Sequence, residues 1–206
     1  MKLVELAQFD TIYHEHFSYL SLLAVTKVFE KSGLRIFDID ELSTHGGSIR
    51  IYACKIEANH AESNAVQAMI EMEKALGMDK MSFYQDIQSR AEKIKNSLIK
   101  FLIEMKDDGK SVSAYGAAAK GNTILNFAGI KPDLLPVVYD AAEAKQNKFM
   151  PGSHIPILDP KQLKESRPDY ILILPWNIAA EVKKSLSDLA DKGTKFVIAV
   201  PKLEVI

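Results

Sequence analysis

The stretch "QFDTIYHEHFSYLS" (residues 8 to 21) sets Tyr13, His14, Glu15 and His16 side by side near the N-terminus. Two imidazoles, a carboxylate and a phenol supply proton-transfer chemistry. A general base needs a pKa near the working pH, and imidazole has one without help from its surroundings. A neighbouring Glu or Tyr can orient the ring, stabilise its charged form, or donate to a developing oxyanion. Tyr13 and His16 are three apart, so a helix opening within residues 13–18 would put them on one face. His14 would then project elsewhere. The cluster is no metal motif: it lacks the i, i+4 histidines of HExxH and has no third ligand nearby. The same residues also suit a polar helix start with one buried histidine.

A second group lies in "YGAAAKGN", where an apolar strand ends and a helix opens. A helix start offers N–H groups and partial positive charge to phosphate. Gly116 and Gly121 let backbone approach a ligand closely, and Lys120 adds a full charge. Asp140 ends the next apolar run, near where a dinucleotide fold keeps its ribose-binding acid. The match to GxGxxG is incomplete, because Ala118 stands at the middle glycine. A P-loop would need Lys where Asn122 stands. A close-packed turn without ligand is the competing expectation. In the loop that follows, Lys145, Lys148 and the Pro151-Gly152 turn are placed to cover a bound anion, or simply to be solvated.

These groups need elements to position them. The spacing predicts a helix from Phe17 to Gly33, with Leu20, Leu23, Ala24 and Val28 on one side. "LRIFDIDEL", the turn "STHGG" and "SIRIYACKI" predict two antiparallel strands within residues 34–56. Such a two-stranded ribbon is marginal unless it packs on something. Its open edge predicts dimerisation or strand exchange. Helices follow at about Glu62–Leu76 and Ser82–Asp107, the second with a continuous apolar stripe. From Gly109 onward strands and helices alternate. That pattern predicts an α/β domain with a doubly wound parallel sheet covered on both faces. Domain boundaries are expected near residues 57 and 108, giving parts 1–57, 58–108 and 109–206.

The chain has 206 residues, 47% of them apolar, so it can bury a sizeable core. Its formal net charge is -1, with no long basic run. That excludes an electrostatic binder of nucleic acid or of a membrane surface. The one cysteine, Cys54, allows no internal disulfide and argues against structural zinc. No signal peptide or membrane span is legible, and a cytoplasmic location is expected.

"QFDTIYHEHFSYLS", "STHGGSIRIYACK", "YGAAAKGNTILNFAGI" and "ILPWN" together resemble the sugar C-methyltransferases of deoxysugar biosynthesis. That family transfers methyl from S-adenosylmethionine to a ring carbon beside the ketone of a dTDP-linked 4-keto sugar. The resemblance implies the C-terminal portion of such an enzyme. Residues 1–57 would be a helix and β-hairpin remnant closing a class I methyltransferase sheet, 58–108 a helical connector, and 109–206 a Rossmann-like nucleotide-sugar domain. By position, His16 would be the base, assisted by Tyr13 and Glu15. His45, Gly46, Gly47, Ser48 and Arg50 would sit near sugar or pyrophosphate. Lys120, Gly121, Asn122 and Asn177 would meet phosphates or sugar, beside Gly116, Asp140 and Lys145. S-adenosylmethionine would serve the full-length enzyme and is not expected to bind this chain alone. The partner would be the missing N-terminal methyltransferase segment, or a second copy. A non-catalytic nucleotide-sugar module and a NAD-type dinucleotide protein are the alternatives.

Overall fold

The computed structural model describes all 206 residues. They form two compact units, one of Met1–Leu6 and His16–Gln88, the other of Ala7–Glu15 and Ser89–Ile206. The division at Gln88 coincides with neither boundary expected from the sequence. It falls at the start of a long helix whose apolar stripe is buried in the second unit.

The first unit contains α1 (Lys2–Glu5), α2 (Leu22–Lys31), β1 (Leu34–Leu42), β2 (Ser48–Lys55) and α3 (Asn64–Ala75). The expected helix from Phe17 is corrected: residues 16–20 are non-helical and α2 begins only at Leu22. The reason is its cap. The Ser21 hydroxyl accepts from the Ala24 N–H at 3.1 Å. The fully buried Glu73 of α3 accepts from the Leu22 and Leu23 N–H groups at 2.9 and 2.8 Å. With these first-turn donors satisfied, the helix has a defined start, and a negative charge sits where its dipole favours one.

Strands β1 and β2 pair antiparallel as expected, with a register shift between Ile36 and Asp38. That bulge resolves which way the strand faces. One extra residue lets Ile36 and Ile39, three apart, both turn inward. They pack with Leu22, Val25, Val66 and Met69.

The second unit takes most of α4 (Ile87–Asp107), followed by β3 (Val112–Tyr115), α5 (Ala119–Ala128), β4 (Val138–Tyr139), β5 (Lys148–Phe149) and β6 (Pro156–Leu158). After these come α6 (Leu163–Ser166), β7 (Tyr170–Ile173), α7 (Ala179–Ser185), α8 (Ser187–Ala190), β8 (Lys195–Ile198) and β9 (Glu204–Val205). The seven strands run in the order β5-β6-β4-β3-β7-β8-β9. The five central strands are parallel, and β5 and β9 close the edges antiparallel.

The fold is therefore mixed α/β with a mostly parallel sheet. Its two faces have separate cores. Ile94, Leu98 and Leu102 of α4 join Leu125 of α5 on one face, while Leu163, Val182 and Leu189 of α6 to α8 cover the other. Short β4 and β6 lie inside this double cover, which accounts for their unbroken apolar sequence. From β3 the chain moves to β4 on one side; from β7 it moves to β8 on the other. The strand order thus reverses between β3 and β7, the point where open α/β sheets leave a crevice at the strands' carboxyl ends. No helix is long and apolar enough to cross a membrane.

Candidate functional site

Two turns meet at that reversal point. One, Gly116–Ala118, joins β3 to α5; the other, Leu174–Asn177, follows β7. The Leu174 N–H donates to the Tyr115 carbonyl at 3.0 Å, which carries the sheet ladder into both turns. The close approaches that the two glycines permit are protein contacts. A Cβ on Gly116, whose φ is +89°, would stand 2.5 Å from Pro175 Cδ; one on Gly121 would stand 2.6 Å from Leu174 Cβ. Gly121 brings α5 hard against Leu174, the first residue after β7, much as a third glycine does in helix–strand packing.

Helix α5 carries no side-chain cap at Ala118, so its start keeps its partial positive charge. Lys120, in its first turn, is buried yet charge-bearing. Its ammonium lies 4.4 Å from the centre of the Trp176 ring and donates to Asn177 Oδ1 at 3.1 Å. The indole N–H donates in turn to Asp10 Oδ2 at 2.6 Å. Asp10 is 1% exposed, and its Oδ1 has no hydrogen-bond partner.

Burial pushes the Asp10 carboxyl up to about 6, against the opposing pull of the Trp176 hydrogen bond and the Lys120 charge. Burial lowers the Lys120 pKa, and the Asp10 charge offsets part of that. Asp10 borders a cavity of about 10 Å³ lined otherwise by apolar groups, among them Ile124, Leu172, Ala199 and Val200. That is room for about one water, not for a sugar.

Asp10 arrives here on a short 3-10 turn, Phe9–Thr11, which packs on α5. Phe9 meets Phe127 edge-on with ring centres 5.2 Å apart. Neither Asp10 nor Trp176 stood out in the sequence. The available signal was slight: Phe9 directly before the acid and Ile12 two residues after it.

The second unit also holds Tyr13, half-buried, and Glu15, exposed. Asn122 accepts at Oδ1 from Asn126 Nδ2 at 3.2 Å. The Asp140 oxygens are engaged inside the protein. They accept from the Ala117 N–H at 2.6 Å, the Ala142 N–H at 2.8 Å and Lys145 Nζ at 3.2 Å. Here Asp140 ties the turn before α5 to the loop after β4, and Lys145 also donates to the Ala117 carbonyl at 2.9 Å.

His16 and the residues His45 to Arg50 belong to the first unit. The expected helical face shared by Tyr13 and His16 does not form, since residues 12–21 are non-helical and α2 begins only at Leu22. His16 is exposed in an irregular stretch, its ring 6.0 Å from that of Tyr19. Residues Thr44–Gly46 make a 3-10 turn between the strands, with Gly47 at φ +126°. The Ser48 hydroxyl donates to the Thr44 carbonyl at 3.1 Å, and Arg50 lies 3.6 Å from Asp40.

Residues 43–201 match the family described as C-methyltransferase C-terminal domain. This chain belongs to that family. Over all 206 residues it is 35% identical to C-methyltransferase NovU of Streptomyces niveus, and it spans 49% of that relative's length. The family match begins at residue 43, so the Tyr13–His16 cluster lies outside it, while the likeness to the Streptomyces C-methyltransferase includes the cluster.

Proposed function

We propose that the chain supplies the general base and the nucleotide-sugar site of an S-adenosylmethionine-dependent C-methyltransferase acting on a dTDP-linked keto-deoxysugar. The reversal point of the sheet carries this reading. Buried Lys120, Asn177 and the uncapped start of α5 converge there, a set suited to a diphosphate. The unit is read as a Rossmann-like nucleotide-sugar domain, and the helix and hairpin of the first unit as the closing elements of a methyltransferase sheet. Gly116 and Gly121 serve this site by drawing the α5 start against Leu174 and Pro175. His45, Gly46, Gly47, Ser48 and Arg50 are assigned to the sugar or pyrophosphate. A cytoplasmic setting fits such a substrate.

A proton on carbon beside a ketone is acidic because the enolate spreads its charge onto oxygen. His16, exposed and next in sequence to Glu15, takes that proton. Tyr13 and Glu15 orient the imidazole or hydrogen-bond the sugar, and a donor near the enolate oxygen lowers the barrier as its charge grows.

These residues do not form a cradle for S-adenosylmethionine. The glycine turn that opens α5 is filled by Pro175 and Leu174, and the hairpin turn at Gly46–Gly47 opens a strand rather than a helix. Methyl transfer itself is therefore not assigned to this chain. The purified chain with S-adenosylmethionine and a dTDP-4-ketosugar is expected to give no methylated product.

Calorimetry with dTDP tests the binding half, and failure to bind would remove the nucleotide-sugar site. In an enzyme reconstituted with a methyltransferase segment, His16→Asn should leave dTDP affinity within about twofold. Turnover should fall about 10²- to 10⁴-fold, the usual worth of a general base. Equal loss of both would make His16 structural.

A further inference from the structure

We infer that Asp10 is a proton-linked positioning residue of the anion site: a diphosphate seated at Lys120 drives the buried Asp10 carboxylate to take up a proton. The inference rests on the nucleotide-sugar reading of that site. It stands first on connectivity. Asp10 holds the Trp176 indole at 2.6 Å, the indole face carries the Lys120 ammonium at 4.4 Å, and Asn177 fixes the same ammonium at 3.1 Å.

Beside the buried polar Gln8 and Thr11 of its own turn, the cavity that Asp10 borders is lined by the Trp176 indole and apolar side chains. Of the elements packed around it, α5 presents one charge, Lys120, and the turn after β7 presents the indole. The turn after β8 presents Ala199 and Val200. Lys120 is thus the cation that opposes the cost of burying the carboxylate. An incoming diphosphate competes for that same cation and adds negative charge nearby. In a poorly solvated place two like charges are not both kept, and the proton goes to the weaker acid, the carboxyl. Its Oδ1, buried and without a partner, is the atom left to receive it.

Linkage makes the effect reciprocal. If the ligand promotes protonation, protonation promotes the ligand. Binding should tighten as pH falls through the Asp10 transition. Asp10 lies three residues before Tyr13, so occupancy of the anion site is reported at the root of the segment that carries the proton-transfer groups.

The protein has a single tryptophan, Trp176, whose emission is a local probe of this carboxyl. The wild type should show a native-state fluorescence transition near pH 6 that dTDP shifts to higher pH; Asp10→Asn should show neither. Calorimetry near pH 7 in buffers of different ionisation enthalpy should show proton uptake by the wild type beyond that of Asp10→Asn. The variant subtracts titration of the nucleotide and of the histidines. Between pH 8 and 5.5 wild-type affinity should rise about tenfold more than that of the variant, within the usual range of coupling between sites.

Inorganic pyrophosphate is the second probe. Pyrophosphate binding with wild-type-specific proton uptake, but no dTDP binding, supports this inference and overturns the nucleotide reading. Equal proton uptake by both proteins, or an unchanged fluorescence transition in Asp10→Asn, overturns this inference and leaves the nucleotide reading intact. Absence of binding by either probe overturns both.

Discussion

Replacing Asp10 by Asn should change how folding stability depends on pH, by an amount that follows from its burial. The folded protein raises this carboxyl from 3.8 to about 6. The folded state therefore holds the proton more tightly than the unfolded chain. Its contribution to stability is complete below about pH 3.8 and is lost as pH rises through 6. At 1.36 kcal/mol per pH unit, the difference of about 2.2 amounts to about 3 kcal/mol. About 2 kcal/mol of that is lost between pH 4.5 and 7, because the unfolded chain has begun to ionise before the window opens.

Asn has nearly the same shape, keeps an oxygen for the Trp176 N–H, and does not titrate. Any fixed cost of the exchanged amide is the same at every pH and cancels. Urea unfolding followed by Trp176 emission reports the unit that contains Asp10. The stability of Asp10→Asn relative to wild type should rise by about 2 kcal/mol from pH 4.5 to 7. A relative stability that stays flat across that window would refute the reasoning, since the carboxyl would then titrate alike folded and unfolded.

Other positions give sharp expectations. Gly121→Ala forces a methyl into Leu174 and should cost about 1–3 kcal/mol by the same fluorescence assay, typical of overpacking; a neutral result would mean that α5 can move off β7. Glu73→Ala strands the N–H groups of Leu22 and Leu23 and should destabilise the first unit by about 1–3 kcal/mol, measured as loss of hydrogen-exchange protection in α2. The two-stranded ribbon of β1 and β2 leaves an outer edge on each strand, and sedimentation should reveal self-association that a proline in β2 weakens. A strictly monomeric protein at high concentration would count against pairing through that ribbon.

The alternation of strand and helix beyond Gly109 was legible because short apolar runs bounded by Gly, Pro and Asp have few other uses. The hairpin was legible because its alternation is nearly clean; the bulge at Phe37 was not, since one added residue leaves no compositional trace. The start of α2 was misjudged because its decisive partner, Glu73, lies some fifty positions away. Apolar periodicity through Leu20 says nothing about which N–H groups a distant carboxylate will take. At the candidate site, Asn177 entered only through the family resemblance, whereas Lys120 was singled out from local logic, a charge at a helix start. Asp10 was missed for the opposite reason. Its environment is assembled from α5 and from the turns after β7 and β8, and a carboxylate's burial is not written in its neighbours in sequence. Phe9 and Ile12 were the only local hints.

Segment Ala7–Glu15 belongs to the sheet-bearing unit although both its flanks belong to the other. That arrangement sets a limit on protein engineering. An expression fragment starting at Ser89, the obvious cut for isolating the α/β portion, leaves behind the Phe9 ring that covers Phe127 and the carboxyl that anchors Trp176. Such a fragment carries a raw apolar scar on α5 and an indole with no acceptor, so poor solubility or weak nucleotide binding in it would speak to the missing nine-residue strap and not to the native protein.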